Sequence, residues 1–447
     1  MEYTTPSSSQ EKKLRSSRDV TLFMVIIGYI GYYLCRGNLS AALPIMGSDL
    51  GYSNTELGII LTISELVYAL GKLVNGPLAD HLGGKRIFIL GMLGAFIANL
   101  WFSQVSSLLS LTISWCVCRY FLSMGWGSLV KIIGHWYDPT QNGTVMGVVS
   151  ISFQFGSGLA LLYCGLLLDL GYGWRWLFII PGLTLLLIAV MVYFFAVESP
   201  QKIFSHVKFG SFGKEKSTTI KLDNQDSSIK PKKIIKKLWG QKIFRYLLLF
   251  SFCTTMLRSM FVIWSAKFFA DIGMSATTAI LRSSIFPFLG VIGTLWLGWY
   301  TDKFSKGNRT SMMAFMLLCL SVCLFTTAQL VASPNDNHNL IFILTGMCGF
   351  FLYGPYSMTS GCLALDIAGA RAAGTFTGCI DCIGYFGGAL AAFSAGWISD
   401  SLGWGEVFYL LTAVAFISTL CCVLMSSLST SGVKESQRKL KPSKLAS

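Results

Sequence analysis

The stretch Val20–Met46, VTLFMVIIGYIGYYLCRGNLSAALPIM, decides the fold class. It is apolar over more than the roughly 20 residues that a helix needs to cross a bilayer, and Arg36 is its only charged residue. A charged side chain at the centre of a membrane helix costs about 2.5 to 3.5 kcal/mol on insertion scales, so it is kept where it faces a cavity or a partner. The stretch therefore predicts a membrane helix that carries a functional cation.

Eleven further apolar runs of membrane-spanning length follow along the chain. Together with Val20–Met46 they predict twelve transmembrane helices and an all-α membrane protein. The eleven runs are Glu56–Leu78, Ile87–Val105, Leu108–Trp136, Val145–Leu168, Trp174–Val197, Phe244–Asp271, Thr277–Trp299, Met312–Val331, Leu340–Leu365, Ala373–Ile398 and Val407–Met425.

The composition supports the same class. Of the 447 residues, 53% are hydrophobic and 13% are charged, whereas about 25% are charged in soluble proteins. The net charge of +14 lies in a few loops and the two tails, which favours membrane topology over nucleic-acid binding. The 13 cysteines lie in apolar runs without metal-ligand spacing, and the four histidines form no zinc pattern. We expect no metal and no cofactor.

The distribution of Lys and Arg predicts the orientation and the domains. Basic residues cluster in alternate connections, and such connections face the cytoplasm, as both termini then do. These basic residues are Lys85, Arg86, Lys303, Lys306, Arg309 and Arg371. The predicted segments are an N-terminal tail (1–19), a six-helix half (20–197), a cytoplasmic linker (198–243), a second six-helix half (244–427) and a C-terminal tail (428–447). The chain has no cleavable signal pattern, which favours a bacterial inner membrane.

Internal repeats relate the two predicted halves. Arg36 and Arg258 are each followed after 44 residues by the acidic residue of a G-x-x-x-D loop, Asp80 and Asp302, so one offset of 222 aligns both pairs. A second offset of 231 aligns seven positions of later helices, including Asp169 with Asp400. Two pseudo-symmetric halves around a midplane site are typical of alternating-access carriers.

The repeat makes Arg36 and Arg258 equivalent, so we expect them to face each other across the transport path. Two facing guanidiniums repel each other and favour an anion between them, and the planar fork of Arg suits phosphate or carboxylate. The alternative is that each Arg pairs with carbonyl groups at helix ends. No phosphate-binding loop of the ATPase type, no zinc protease motif and no nucleophile elbow occurs, so an enzyme is not expected.

Four other ionisable residues inside predicted spans are considered for a role. Lys72 either extends the basic field or pairs with Glu65 of its own helix. Asp381 is a carboxylate that either balances a cation or carries a proton. Arg119 and Lys131 are expected to be structural, because they lie where long side chains reach the ends or inner face of their helix.

The loop Gly76-Pro-Leu-Ala-Asp80-His-Leu-Gly-Gly-Lys85-Arg86 resembles the signature of the major facilitator superfamily, with a weaker copy from Gly298 to Arg309. The resemblance covers almost the whole chain and implies the major facilitator fold. It also implies that charges at the loops form a conformational latch, which breaks and reforms as the halves rock. The implied latch residues are Asp80, Lys85, Arg86 and Asp302.

Within that superfamily the chain is similar to the organophosphate:phosphate antiporters, the carriers of glycerol-3-phosphate and hexose phosphate. The similarity lies in motifs around Arg36, Gly125-Trp126, His135-Trp136, Leu257-Arg258, Tyr353-Gly-Pro355 and Gly384-Tyr-Phe-Gly-Gly388. It implies that Arg36 and Arg258 bind phosphate and that further cavity residues surround the substrate. These are Lys72, Tyr29, Tyr33, Tyr68, Trp126, Tyr353 and Tyr385, with Asp381 as a candidate contact for substrate hydroxyls.

The resemblance implies a carrier that exchanges inorganic phosphate for an organic phosphate ester by alternating access, working as a monomer in the lipid bilayer. The chain departs from the family at Gly37, Phe153 and Asp381, so the organic group stays open. Two other functions also stay open. One is a proton- or sodium-coupled organic-anion symporter, and the other is a transporter-like sensor of sugar phosphates.

Overall fold

The structure is a computed structural model, and it describes residues 8–137, 139–203, 240, 242–304, 309–333, 337–360 and 362–440. Side chains are not described for some of these, among them 77, 80, 139–144, 302, 360–379 and 428–440. Most of the predicted linker 198–243 and parts of both tails therefore lie outside the described residues.

Fourteen α-helices make up the described chain. They are α1 Ser8–Leu50, α2 Asn54–Leu82, α3 Gly84–Gln104, α4 Leu108–Leu122, α5 Met124–Trp136, α6 Pro139–Asp169, α7 Trp176–Phe195, α8 Lys242–Asp271, α9 Ala276–Ser283, α10 Ile285–Phe304, α11 Arg309–Ala332, α12 His338–Ser360, α13 Cys362–Ser401 and α14 Trp404–Leu440.

Twelve membrane-length apolar spans run through the described helices, which confirms the predicted fold class. Two spans consist of two helices each, because α4 and α5 are separated at Ser123 and α9 and α10 at Ser284. Helices α1 and α14 extend beyond the apolar runs into the predicted tails. A helix satisfies its own backbone hydrogen bonds, so it can continue into polar sequence where the apolar run ends.

The described chain forms two compact units. The first contains the described residues of Met1–Ser227 together with Phe261–Phe288 and Ala392–Asp400. Within it α1 packs on α6 and α7, and α3 packs on α4 and α7. The second unit contains the described residues of Ser228–Met260, Leu289–Ala391 and Ser401–Ser447, and in it α11 packs on α12 and α14.

Hydrogen bonds inside the first unit explain why it includes parts of α8 and α13. The hydroxyl of Ser40 donates to the Ile263 carbonyl at 2.6 Å. The Asp400 carboxylate accepts from the backbone N–H groups of Asn54 at 3.1 Å and Thr55 at 2.6 Å. Asp400 thus caps the start of α2, where backbone donors have no partner within the helix. The predicted halves follow chain order, whereas these contacts define the compact units.

Candidate functional site

Arg36 lies in the interior of the first unit, on α1, with 9% of its side chain exposed. Its guanidinium carbon lies 4.6 Å from the centre of the Tyr68 ring and 5.4 Å from the centre of the Tyr33 ring. Aromatic faces attract cations through their quadrupole. The two tyrosines thus help to hold a charged group inside a membrane helix, at the position that the sequence analysis selected.

Glu65 is buried beside Arg36 and belongs to the site, although the sequence analysis did not select it. Its Oε1 atom forms an ion pair with Nη2 of Arg119, and the same oxygen lies 4.0 Å from Nη2 of Arg36. Arg119, which was expected to be structural, is buried in this ion pair. Glu65 supplies the carboxylate that a buried guanidinium requires, and it ion-pairs with Arg119 on another helix.

Gly71 allows α2 to approach α4 closely enough for this ion pair. A Cβ atom at Gly71 would lie 2.4 Å from the Ser123 hydroxyl oxygen. Asn75, one turn further along α2, donates from its side-chain amide to the same hydroxyl at 2.7 Å. The close contact at Gly71 therefore brings α2 next to the Arg119-bearing helix, to which Glu65 ion-pairs.

Three cations surround the Tyr68 ring. Arg119 has its guanidinium carbon 4.4 Å from the ring centre, and Lys72 has its Nζ atom 5.6 Å from it. Arg36 is the third. Glu65 is a carboxylate in the same group, and it ion-pairs with Arg119. Arg36, Lys72, Arg119 and Glu65 form a charge cluster, which has an excess of positive charge. Such a surplus in a low-dielectric interior attracts an anion.

An aromatic wall adjoins the charge cluster in the first unit. The ring centres of Tyr29 and Trp126 are 5.4 Å apart, as are those of Tyr29 and Tyr33. Phe153 extends the wall, with its ring centre 6.2 Å from that of Tyr33. The structure therefore brings together the aromatic residues that the family resemblance selected in the first half of the chain.

Arg258 lies in the interior of the second unit, on α8, and is 4% exposed. Its guanidinium carbon lies 4.9 Å from the centre of the Tyr356 ring. Tyr353, which the resemblance selected, is fully buried and lies one turn earlier, with its ring centre 6.2 Å from that of Tyr356. Tyr356 is thus an aromatic neighbour of Arg258. The sequence does not show which tyrosine of α12 faces Arg258, because this depends on the orientation of the helix.

A small polar cavity opens beside Tyr356 in the second unit. Side chains with hydroxyl groups and one carboxylate line most of it. The lining residues are Ser251, Thr255, Tyr356, Thr359, Ile380, Asp381 and Tyr385. Asp381 and Tyr385 were selected from the sequence. The serine and threonines were not, because single hydroxyl groups on apolar helices carry no pattern that distinguishes a cavity from helix packing.

Gly384 allows α13 to lie close to α8 beside this cavity. A Cβ atom there would lie 2.7 Å from the Thr255 hydroxyl oxygen and 3.1 Å from that of Ser251. The absence of a side chain lets α13 approach α8, where the Ser251 hydroxyl donates to the Ile380 carbonyl at 3.1 Å. The hydroxyl groups of α8 are thereby brought to the same cavity as Asp381.

The predicted latch is described only in part, because the side chains of Asp80 and Asp302 lie outside the described residues. Lys85 donates from Nζ to the Tyr193 carbonyl at 2.7 Å, and Arg86 is exposed. Glu198 lies against the same loop, where it bonds the backbone N–H of Gly84 and pairs with Lys202 at 2.8 Å. Burial raises the pKa of Glu198, but Lys202 and the Gly84 N–H outweigh it, so the pKa lies below its usual value.

Metal-binding chemistry finds no support in the part of the chain that the structure describes. No group of three His, Cys, Asp or Glu residues there could hold a metal ion. Eleven cysteines have described side chains, and all of them are free thiols. Cys379 is the first residue of a C-x-x-C sequence in α13, and its side chain is not described.

Comparison with known proteins places this geometry in context. A family model described as Major Facilitator Superfamily matches residues 25–392. The chain is 28% identical to a "Probable hexose phosphate transport protein" of Chlamydia pneumoniae, over 92% of this chain and 91% of that protein. It is 26% identical to the "Glycerol-3-phosphate transporter" of Bacillus subtilis, over 92% of each.

A third relative is named as a sensor. The chain is 24% identical to "Membrane sensor protein UhpC" of Escherichia coli, over 92% of each chain. Among solved structures, a bacterial homolog of the human lysosomal transporter Spinster, in an inward-facing and unoccupied conformation, matches with a TM-score of 0.70 at 15% identity. That match covers 92% of this chain and 96% of the other, and it shows the shared fold.

Proposed function

The chain belongs to the major facilitator superfamily and is a transporter, not an enzyme, and we propose that it exchanges an organic phosphate ester for inorganic phosphate by alternating access. The organic ester is a sugar phosphate or glycerol-3-phosphate, as the names of the relatives from C. pneumoniae and B. subtilis suggest. The observation that carries the proposal is an interior arginine at each repeat-related position, Arg36 and Arg258, each beside a tyrosine ring.

The charge of the ligand follows from these arginines. Phosphate esters are dianions near neutral pH, since their second pKa is about 6. Arg36 and Arg258 offer one planar fork each, and Lys72 adds a third charge near Tyr68. We propose that Arg36 and Arg258 are phosphate ligands, and that Tyr29, Tyr33, Tyr68 and Trp126 line the site at Arg36.

The polar cavity of the second unit is the proposed site of the organic group. Its hydroxyl groups both donate and accept hydrogen bonds, and the Asp381 carboxylate accepts them. A polyhydroxylated group such as glycerol or a sugar matches this lining. Tyr356 touches both Arg258 and the cavity, so an ester bound at Arg258 can place its hydroxyl groups beside Asp381 and Tyr385. Tyr353 then acts as support for Tyr356.

The same charges explain why exchange is favoured over one-way flow. An empty carrier must reorient with the excess positive charge of the cluster around Arg36, whereas a bound dianion neutralises that excess and favours the occluded state. Reorientation is therefore fast with substrate and slow without it. The latch residues Asp80, Lys85, Arg86 and Asp302 are proposed to hold one orientation between cycles, and no cofactor is required.

Efflux of radiolabelled phosphate from loaded proteoliposomes tests the proposal. The outside solution contains phosphate, glycerol-3-phosphate, glucose-6-phosphate or an unphosphorylated carboxylate. We expect acceleration by phosphate and by one ester, and its loss in Arg36→Lys and Arg258→Lys. Equal efflux with and without external phosphate compounds would contradict the exchange mechanism.

A sensor of sugar phosphates is a second candidate function, favoured by the similarity to the sensor protein of E. coli. A sensor binds the ester without rapid counterflow. Saturable binding of the ester to purified protein, together with no exchange in proteoliposomes, would favour this function.

A proton-coupled symporter would instead show uptake that collapses with the proton gradient and in Asp381→Asn.

The chain is a multi-pass membrane protein, and its finer placement is part of the proposal. We propose that it works as a monomer in a bacterial inner membrane with both termini in the cytoplasm, since the basic connections favour that orientation. Tags at the two termini should be inaccessible to protease added outside intact cells. Digestion of either tag would contradict the orientation.

A further inference from the structure

The Glu65 carboxylate has two cationic neighbours, and it contacts them unequally. It forms an ion pair with Arg119, whereas Nη2 of Arg36 lies 4.0 Å from the same oxygen. Hydrogen bonds between nitrogen and oxygen span about 2.7 to 3.2 Å. The Arg36 and Glu65 atoms are therefore close enough for electrostatic attraction but too far apart for a hydrogen bond between them.

All three side chains are buried, so their charges act at low dielectric. Glu65 and Arg36 are each 9% exposed and Arg119 is 3% exposed. A carboxylate inside a membrane span is costly and marks a functional position by default. Here it lies beside the arginine that is the proposed phosphate ligand, and its negative charge opposes the charge of any anion that approaches Arg36.

We propose that Glu65 is a positioning residue that acts as a resident counter-anion for Arg36, which rests on the proposed function. In the carrier without substrate it partly neutralises Arg36 and so allows the empty protein to reorient at a finite rate. When a phosphoryl group binds Arg36, the two anions repel each other. Glu65 then remains paired with Arg119, and the Arg36 guanidinium binds the phosphoryl group.

This proposal makes opposite predictions for the two partners of the ion pair. Glu65→Gln removes the competing charge, so phosphate should bind Arg36 more tightly. Arg119→Gln removes the stronger partner of Glu65, so the carboxylate should turn to Arg36 and weaken phosphate binding. A pair that only joins α2 to α4 would instead lower stability and maximal rate in both variants, without opposite changes in affinity.

The experiment measures the KM and maximal rate of phosphate exchange in proteoliposomes. In parallel, thermal unfolding of purified protein titrated with inorganic phosphate reports affinity even in a variant that does not transport. We expect Glu65→Gln to lower the KM for phosphate about fivefold to tenfold, the usual order of couplings between sites, and to slow efflux into phosphate-free medium. Arg119→Gln should raise the KM by a similar factor.

Two matched variants complete the test. Glu65→Asp keeps the charge and should leave the KM close to wild type. The double variant Glu65→Gln with Arg119→Gln keeps the net charge of the cluster and should return the KM toward wild type. If Glu65→Gln does not fold, Arg119→Gln must still raise the KM, whereas Arg119→Lys, which keeps the charge, must leave it close to wild type.

The outcomes separate this inference from the proposed function. If the wild type exchanges phosphate but the KM is unchanged in the variants, or shifts in the same direction in both single variants, the counter-anion role is overturned. If the wild-type protein neither exchanges nor binds inorganic phosphate, the proposed function fails and the inference fails with it.

Discussion

Arg36 and Arg258 are equivalent in the sequence repeat, but their surroundings differ. Arg36 lies in the charge cluster, beside Glu65 and with two further cations around the same ring. Arg258 lies over Tyr356, which also lines a cavity rich in hydroxyl groups. The first unit thus concentrates charge, whereas the second combines one arginine with hydrogen-bonding groups. Repeat-related positions in the sequence can therefore have different chemical surroundings in the folded chain.

The largest expected effect comes from replacing either arginine by lysine. Lysine keeps the charge but loses the planar fork. Truncating a buried charged contact costs about 2 to 5 kcal/mol, so Arg258→Lys should weaken exchange by at least about thirtyfold. Arg36→Lys should lose less, because Arg119 and Lys72 remain nearby. Exchange kinetics in proteoliposomes measure both, and a smaller loss in Arg258→Lys would break the proposed contrast.

Asp381→Asn tests whether the polar cavity of the second unit binds the organic group. A hydrogen bond to a charged group is worth about 1.5 to 3 kcal/mol, so the KM for the organic ester should rise about tenfold or more. Exchange of phosphate for phosphate should change little, because inorganic phosphate lacks the organic group. Tyr385→Phe, on the same cavity wall, removes an uncharged hydrogen-bonding group and should raise the same KM by a smaller factor. Loss of phosphate exchange itself would show that Asp381 acts on the anion or on a coupled proton.

Gly384→Ala should reduce ester exchange by narrowing the same cavity. The added methyl group would lie 2.7 Å from the Thr255 hydroxyl oxygen, and overpacking of this kind costs about 1 to 3 kcal/mol. Thr255→Ala should restore part of the activity by making room. Competition between the ester and phosphate measures the change. Phosphate and ester exchange reduced by the same factor would mean that the cavity does not distinguish them.

The smallest effect concerns a repeat pair outside the binding region. Asp400 accepts hydrogen bonds from the backbone of Asn54 and Thr55 at the start of α2, whereas its counterpart Asp169 caps no helix in the part of the chain that the structure describes. Loss of a helix N-cap costs about 0.5 to 2 kcal/mol, so Asp400→Ala should lower the Tm by a few degrees and Asp169→Ala should not. Thermal unfolding of the purified variants measures this. Equal Tm values would show that the capping bonds add no stability.

The fold class was predictable because each membrane helix corresponds to a continuous apolar run in the sequence. Each of the twelve spans has its own stretch of sequence, and the backbone of each can only satisfy its hydrogen bonds as a helix. The ends were less predictable, since α1 and α14 continue into polar sequence. The break in the fourth span at Ser123 also leaves no apolar signal.

The sequence by itself determined the twelve spans, the repeat, and the two interior arginines, because each is a local pattern or a charge that an apolar helix cannot hide. Only the tertiary structure decided which groups meet those arginines. The ion pair of Glu65 with Arg119 on another helix depends on how α2 is rotated against α4. The contact of Tyr356 with Arg258 depends in the same way on the rotation of α12. Helix rotation follows from the sum of many small packing contacts, of which a single sequence holds no separate record.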